Sequence, residues 1–305
     1  MKTPPFPGDR IELLHTFVRI VESGNLSAAA QRLDTTQPTV SRRLQALERL
    51  FGVRLLQRST HAITLTPDGE RCLAMARALI DEWEAMQETL RGSRSAARGT
   101  LKVLVPHALG QERLVEPLAH YLREHPEVEV EWLLGDRHPD FVAEGIDCAI
   151  QVGEIADPNL VAVPLFSLPR IVIAAPALLG RRRPPQAPEA LHILPWLALQ
   201  TYYRERVVLQ PVGGGAAHAF DIRPRLRTDS LYALRSATLA GLGVAIVSAW
   251  LVHDELQRGE LVHLCPGWEA SPMPVHLVYP YTRFQPARLT RFLEAIKAHA
   301  RQRAA

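Results

Sequence analysis

The stretch from Ala28 to Leu47 constrains this chain most. Ala28, Ala29 and Ala30 are small enough to let another helix cross closely. Asp34, Thr35 and Thr36 then interrupt the helical pattern as a turn. Val40, Leu44 and Leu47 follow at i, i+4 and i+7, which puts one buried stripe on the next helix. Thr36 is placed to cap that helix, and Pro38 falls in its first turn, where a missing N–H does no harm. Upstream, Leu13, Leu14, Phe17, Val18, Ile20 and Val21 give a first helix an apolar face, and Gly24 closes it. Ser27 is expected to cap the second helix, over 28–33. Three short helices with a tight turn before the third make a helix–turn–helix.

Thr36, Gln37, Pro38, Thr39, Ser41, Arg42 and Arg43 gather at the start of the third helix, most of them off its buried stripe. A recognition helix needs this, because its N-terminal side chains reach base edges in the major groove. Gln pairs bidentately with adenine and Arg with guanine, while Ser and Thr serve bases or phosphates. Any amphipathic helix also has a polar face; the helix–turn–helix spacing favours DNA. Charge agrees. Residues 1–66 hold 9 Lys+Arg against 5 Asp+Glu, and the remainder 26 against 27. A basic N-terminal segment on a near-neutral body points to nucleic acid more than to a membrane. Residues 54–65 read as two short strands around a polar tip, a wing that would bring Arg58 and His61 near a phosphate or the minor groove. A plain solvent-exposed hairpin is the other reading.

Residues 67–91 read as one long helix. Thr66 can cap it, Pro67 fits its first position, and Asp68 and Glu70 suit its positive end. Cys72, Ala76, Leu79, Trp83, Met86 and Leu90 follow at spacings of 4, 3, 4, 3 and 4, a heptad seam. The seam predicts a dimerising coiled coil, since a small, polar linker over 92–99 follows it rather than a packed connection. The alternative is a helix lying on its own domain's core.

From Thr100 onward, strand-like and helical runs alternate, the signature of an α/β fold with a parallel sheet. Strands are expected at 101–105, 128–134, 148–152, 170–174, 196–199, 244–247 and 275–279. Helices are expected at 140–144, 231–239 and 288–298 and through Leu114, Leu118, Tyr121 and Leu122. Loops are expected at 181–188 and 211–217. Gly241-Leu242-Gly243 lacks the third glycine of a dinucleotide fingerprint, and Gly213-Gly214-Gly215 is not followed by Lys-Ser/Thr. His-Glu-x-x-His and Gly-x-Ser-x-Gly are absent from the sequence, and the histidines are scattered. No catalytic residue, metal site or cofactor is therefore assigned, and the chain is not expected to be an enzyme. The three cysteines are far apart and form no CxxC. No run approaches the roughly 18 apolar residues of a membrane helix. The proline-rich start lacks the apolar stretch of a signal peptide, so a cytoplasmic protein is expected.

At this point the residues resemble a known family. Phe17-Val18, Val21-Glu22-Ser23-Gly24, Ser27-Ala28-Ala29-Ala30, Leu33, Thr36-Gln37-Pro38-Thr39-Val40-Ser41-Arg42, Leu47-Glu48, Leu50-Phe51-Gly52, Leu55-Leu56, Arg58 and Leu65-Thr66-Pro67-Asp68-Gly69 are similar to the winged helix–turn–helix of LysR-type transcriptional regulators. Asn25-Leu26 and Leu55-Leu56 depart from the usual Ser-Phe and Leu-Phe, and each keeps an apolar core residue. Asp147 to Gly153 stands where the family reads Asp-hydrophobic-Ala-Ile-Arg-x-Gly, with Gln151 in place of Arg; 172–176 and 240–245 are also familiar.

The resemblance implies an α/β protein in several parts: an α-rich winged helix–turn–helix domain (10–66), a dimerising linker helix (67–91), a hinge (92–99) and an effector-binding domain (100–305). The last would have the two-lobed fold of type 2 periplasmic binding proteins, with lobe I at about 100–168 and 273–305 and lobe II at about 169–272. It also implies that Gln37, Pro38, Thr39, Ser41 and Arg42 face an operator with Arg58 at the wing. Effector contacts would come from Pro106, His107, Ala108, Leu109, Gly110, Gln151, Gly153, Gln200, Thr201, Tyr202, Asp229 and Ser230, all at strand ends or helix starts. A small, polar or anionic effector is expected there, with Gln151 weakening the case for a strongly anionic one. Expected partners are double-stranded operator DNA, the effector, a second copy in a dimer or tetramer, and RNA polymerase if the protein activates; no membrane is expected. The alternative function is a cytoplasmic two-lobed solute-binding protein or enzyme with no DNA-binding role.

Overall fold

The computed structural model describes residues 9–58, 63–91, 97–200, 202–282 and 284–304. Helix α1 (Arg10–Ser23) starts where the Asp9 side chain accepts from the Ile11 N–H and ends at Gly24, whose φ of 69° suits a residue without Cβ. Helix α2 (Leu26–Arg32) is capped by Asn25, not by Ser27 as expected: the Asn25 carboxamide oxygen accepts from the Ala28 N–H at 2.7 Å. Asn caps as well as Ser does, and its position lets the helix begin at Leu26. Helix α3 (Gln37–Phe51) follows the turn. Thr36 stands at its cap position, but its hydroxyl meets that of Thr39 at 2.9 Å instead of a backbone N–H. Phe17, Ile20, Ala29, Val40, Leu47 and Leu55 form the centre of this domain's core.

Strands β1 (Leu56–Arg58) and β2 (Ile63–Leu65) pair antiparallel, with Leu56 opposite Leu65, so the expected wing is a hairpin. Its tip, with His61, lies outside the described residues. Glu48 of α3 accepts from the Leu55 N–H at 2.9 Å, so this acid anchors the wing and is not left on the DNA face. Gly69 allows close crossing here, since a Cβ would lie 2.0 Å from the Leu55 carbonyl oxygen.

Helix α4 (Pro67–Arg91) spans the predicted range, and the Thr66 hydroxyl accepts from the Gly69 N–H at 2.9 Å. It presents three faces. Cys72, Leu73, Ala76 and Ile80 pack on the core of the N-terminal domain. Arg77, Asp81 and Glu84 turn toward the C-terminal part: Asp81 and Glu84 pair with Arg288, and Arg77 lies against Gly145 while pairing with Glu22 of α1. Met75, Leu79, Trp83 and Leu90 are exposed, and Met86 is half-buried. The predicted seam is thus corrected at its start. Cys72 and Ala76 turn into their own domain's core, and the open apolar stripe begins with Met75 and runs on through Leu79 to Leu90.

After the hinge, whose residues 92–96 are outside the described residues, come β3 (Gly99–Val105), α5 (Val115–Glu124), β4 (Val128–Leu134), α6 (Phe141–Glu144), β5 (Cys148–Val152), β6 (Leu160–Ala174), α7 (Pro176–Leu179), β7 (Leu197–Leu199), β8 (Arg206–Pro211), β9 (His218–Asp221), β10 (Leu226–Thr228), α8 (Leu231–Leu239), β11 (Ala245–Ser248), α9 (His253–Gln257), β12 (Val262–Leu264), β13 (Trp268–Pro280) and α10 (Ala287–Ala304). Strand β3 is parallel to β4 and β5, as the βαβ pattern predicts. The sheet as a whole is mixed, a correction to the all-parallel expectation, because β13 returns antiparallel to both β5 and β6.

Strands β6 and β13 make the two-lobed shape. Leu168, Met273, Val275 and Leu277 belong to one core, with Tyr121 and Phe292. Val172, Ala174 and Ala270 of the same two strands belong to another, with Trp196, Val207 and Phe220. Each strand therefore crosses from lobe to lobe. The strands expected at 170–174 and 275–279 are only parts of these two, which also contain Pro164, Pro169, Pro272 and Pro274. These prolines are tolerated where the ladder is already irregular: register shifts fall between Ala270 and Met273 and between Val275 and His276. The hairpin of β8 and β9 was also missed; the expected loop at 211–217 begins on the last residue of β8.

Candidate DNA-binding face and interlobe cleft

The first turn of α3 presents Thr36, Gln37, Pro38 and Arg42 to solvent, with Thr39 and Ser41 half-buried beside them. Arg42 reaches back to the Thr39 hydroxyl at 3.4 Å. Arg43, grouped with this set in the sequence, is held instead by Glu12 of α1, with 24% of its side chain exposed. It works as a strut between helices. Gln45 and Arg49 are exposed and continue the row of Pro38 and Arg42 at helical spacing. The sequence reading stopped at the helix start and missed them, although the 3.6-residue period alone would have added them. Arg58 ends β1, where the wing begins.

Between the lobes lies a cleft. About 110 Å³ of it is open to the centres of water-sized molecules, against the roughly 10–15 Å³ one water requires. Its walls include six predicted residues: Pro106, Ala108, Leu109, Gln151, Tyr202 and Asp229. His107 is not one of the wall residues but pairs with Asp136, which is, at 3.0 Å. Gly110 is packed, not lining: a Cβ there would come 2.5 Å from Leu134. Gly153 sits under Tyr202, whose hydroxyl would be 2.9 Å from a Cβ. The Gln200 N–H donates to the Thr228 carbonyl at 2.7 Å, and the Ser230 hydroxyl caps α8 by accepting from the Ala233 N–H. Thr201 lies outside the described residues.

The sequence reading missed Asp136, Arg137 and His138, and also Ser248 and Trp250. The first three follow β4 directly and the last two end or follow β11. Applying the strand-end rule to every strand would have found them.

Gln151 is buried, and its side-chain oxygen lies 3.2 Å from His138 Nδ1. Arg137 is engaged by both oxygens of Glu144, and this pairing holds the Glu144 carboxyl down to about 2. Contacts among the described residues cross between the lobes. The Tyr202 hydroxyl donates to the Val152 carbonyl at 2.9 Å. The Tyr232 hydroxyl donates to Glu112 at 2.7 Å, and burial together with that acceptor pushes its pKa up to about 12. The Arg113 guanidinium lies 4.8 Å from the centre of the Trp250 ring. All three must adjust if the lobes move.

Burial raises the thiol pKa of Cys72, Cys148 and Cys265, the reverse of an activated nucleophile. Among the described residues, no three His, Cys, Asp or Glu side chains gather as a metal site, and no helix is long and apolar enough to cross a membrane.

Comparison with known proteins agrees with this geometry. Residues 11–70 match the bacterial regulatory helix-turn-helix protein, lysR family, and residues 94–301 match the LysR substrate binding domain. The chain is 29% identical over 296 residues to the HTH-type transcriptional regulator PtxR of Pseudomonas aeruginosa, covering 94% of this chain and 91% of that one. It is 30% identical over 271 residues to the HTH-type transcriptional activator AaeR of Escherichia coli, covering 89% and 87%. Among solved structures, CrgA, a LysR-type transcriptional regulator from Neisseria meningitidis, superposes with a TM-score of 0.58 at 26% identity, covering 98% of this chain and 99% of that one.

Proposed function

Because this chain belongs to the LysR family of transcriptional regulators, we propose that Gln37, Thr39, Ser41 and Arg42 read its operator and that the interlobe cleft holds its effector. The protein is a DNA-binding regulator with an effector-binding domain. The observation that carries the site assignment is the exposed polar first turn of α3 in a chain that also carries a two-lobed domain with an open cleft, with the long helix α4 between them in sequence. Domain limits at 10–66, 67–91 and 100–305 suit that division, but the hinge expected at 92–99 is shorter at its end, because Ala97 is buried in the core of the first lobe and β3 begins at Gly99. Thr36 and Pro38 shape the start of α3, Arg58 and His61 serve the wing, and the stripe from Leu79 to Leu90 meets a second copy. Pairs of such dimers would form a tetramer on DNA, and an activating role would add RNA polymerase as a partner. The protein would act in the cytoplasm, and no catalytic role is proposed for it.

An effector can regulate only if its affinity differs between the two spacings of the DNA-binding pairs. Ligand bound between the lobes would alter the Tyr202, Tyr232 and Trp250 contacts, and the α10–α4 ion pairs give the change a route to the linker helix.

The test is Arg42→Ala, with operator affinity measured across a set of single-base variants. The expected result is a loss of about 1–3 kcal/mol confined to one base position of each half-site. Uniform weakening on every sequence would make Arg42 a phosphate contact instead.

A further inference from the structure

We propose that the effector of the cleft is an organic amine, its protonated nitrogen held by Asp229 and its apolar or aromatic body lying against Trp250, Leu199 and Leu231. This rests on the reading of the cleft as the effector site, and it departs from the expectation of a polar or anionic ligand.

The cleft walls carry three formally charged side chains, Asp136, Asp229 and Arg137. Arg137 is spent on Glu144, and Asp136 is paired with His107. Asp229 is exposed at the wall and has no hydrogen-bond or ion-pair partner among the described residues. A carboxylate without a protein partner, set beside largely apolar walls, repels a second carboxylate and attracts a cation.

The start of α8 is where an anion would otherwise be welcome. The Ser230 hydroxyl already takes the Ala233 N–H there, and Asp229 stands just before it, so an incoming carboxylate would meet a like charge. The nearby buried cation does not change this. Arg170 is not part of the cleft wall. Its Nε and Nη2 both donate to the Ser271 carbonyl, and its guanidinium lies 4.6 Å from the Tyr203 ring centre and 5.7 Å from that of Tyr202. Gln151 replaces a possible anion-binding arginine with a neutral amide whose oxygen is an acceptor. The remaining wall is largely apolar, from Leu109 and Ile150 on one side to Leu199, Leu231 and Trp250 on the other.

The experiment is calorimetric titration of the full chain with three probes that share a ring and differ in charge: 2-(4-hydroxyphenyl)ethylamine, 4-hydroxyphenylacetate and 4-ethylphenol. The amine should bind at least ten-fold more tightly than the carboxylate. Asp229→Asn should remove at least ten-fold of the amine affinity and leave 4-ethylphenol binding unchanged. Equal or tighter binding of the carboxylate, indifference of the amine to Asp229→Asn, or no binding of any probe would overturn the proposal. Ala108→Trp separates the two levels. If it blocks a carboxylate or phenol that binds, the cleft remains the effector site and only the charge assignment falls; a bound probe indifferent to it removes the cleft reading as well.

Discussion

Replacing Leu79 and Trp83 together by Asp is expected to turn the protein into monomers and to weaken operator binding by about 100-fold or more. Both side chains stand on the open face of α4, 48% and 39% exposed, with Met75 before them and Leu90 after. Apolar side chains in a continuous row along 67–91 bury well only against another helix of the same kind. A Trp at the centre of such an interface contributes about 2 kcal/mol or more, and a carboxylate there must be desolvated besides. Operator binding falls with the dimer because one recognition helix holds only one half-site. Neither residue belongs to the N-terminal core, so the monomer should keep its circular dichroism spectrum. Sedimentation velocity measures the outcome; an unchanged oligomer would return the stripe to some other role.

Arg288→Ala is expected to destabilise the protein by about 2 kcal/mol, the scale of a lost charged hydrogen bond, because the guanidinium is buried but its carboxylate partners are partly in water. Arg288 is 6% exposed and pairs with Asp81 and with Glu84 at 3.7 Å, tying α10 to the linker helix. Asp147 feels the same guanidinium. Burial raises its carboxyl to about 6, while the Lys102 N–H and Arg288 pull it down. A folded-state pKa above the unfolded value means that the native state holds the proton more tightly. Asp147 therefore costs stability above about pH 6, and that cost fades as pH falls toward the ordinary value near 4. In Arg288→Ala the carboxyl should rise further and the window should move to higher pH. Denaturant melts of both proteins between pH 4 and 8 measure this, and Asp147→Asn should flatten the dependence.

Local signals were legible in the sequence because they are set by neighbours. The Thr66-Pro67 start of α4, the Gly24 stop of α1 and strand β5 at 148–152 all depend on residues within a turn or two. So did the polar start of α3. What stayed hidden depends on distant partners. Arg43 looks like a DNA contact until Glu12, far off in sequence, is seen to hold it. Cys72 and Ala76 fit a heptad until the core of the N-terminal domain is packed against them. The full length of β6 and β13, prolines included, depends on an antiparallel partner far off in sequence, whose register shifts leave room for a missing N–H. Half of the predicted effector set lines the cleft. The segment Asp136 to His138 escapes the sequence reading because the loop after β4, a strand placed at its full extent, is not counted among the strand-end loops that line the cleft.

The central claim is that α3 reads a symmetric operator for a dimer held by α4. The most direct measurement is sequencing of the genomic fragments bound by the purified full-length protein, beside the Gln37→Ala and Arg42→Ala variants. The account predicts enrichment of a dyad-symmetric site whose half-sites lie one helical turn, roughly 34 Å, or a multiple of it apart. Each variant should lose preference at one position of each half-site. Enrichment without symmetry, or a preferred sequence untouched by both substitutions, would contradict it.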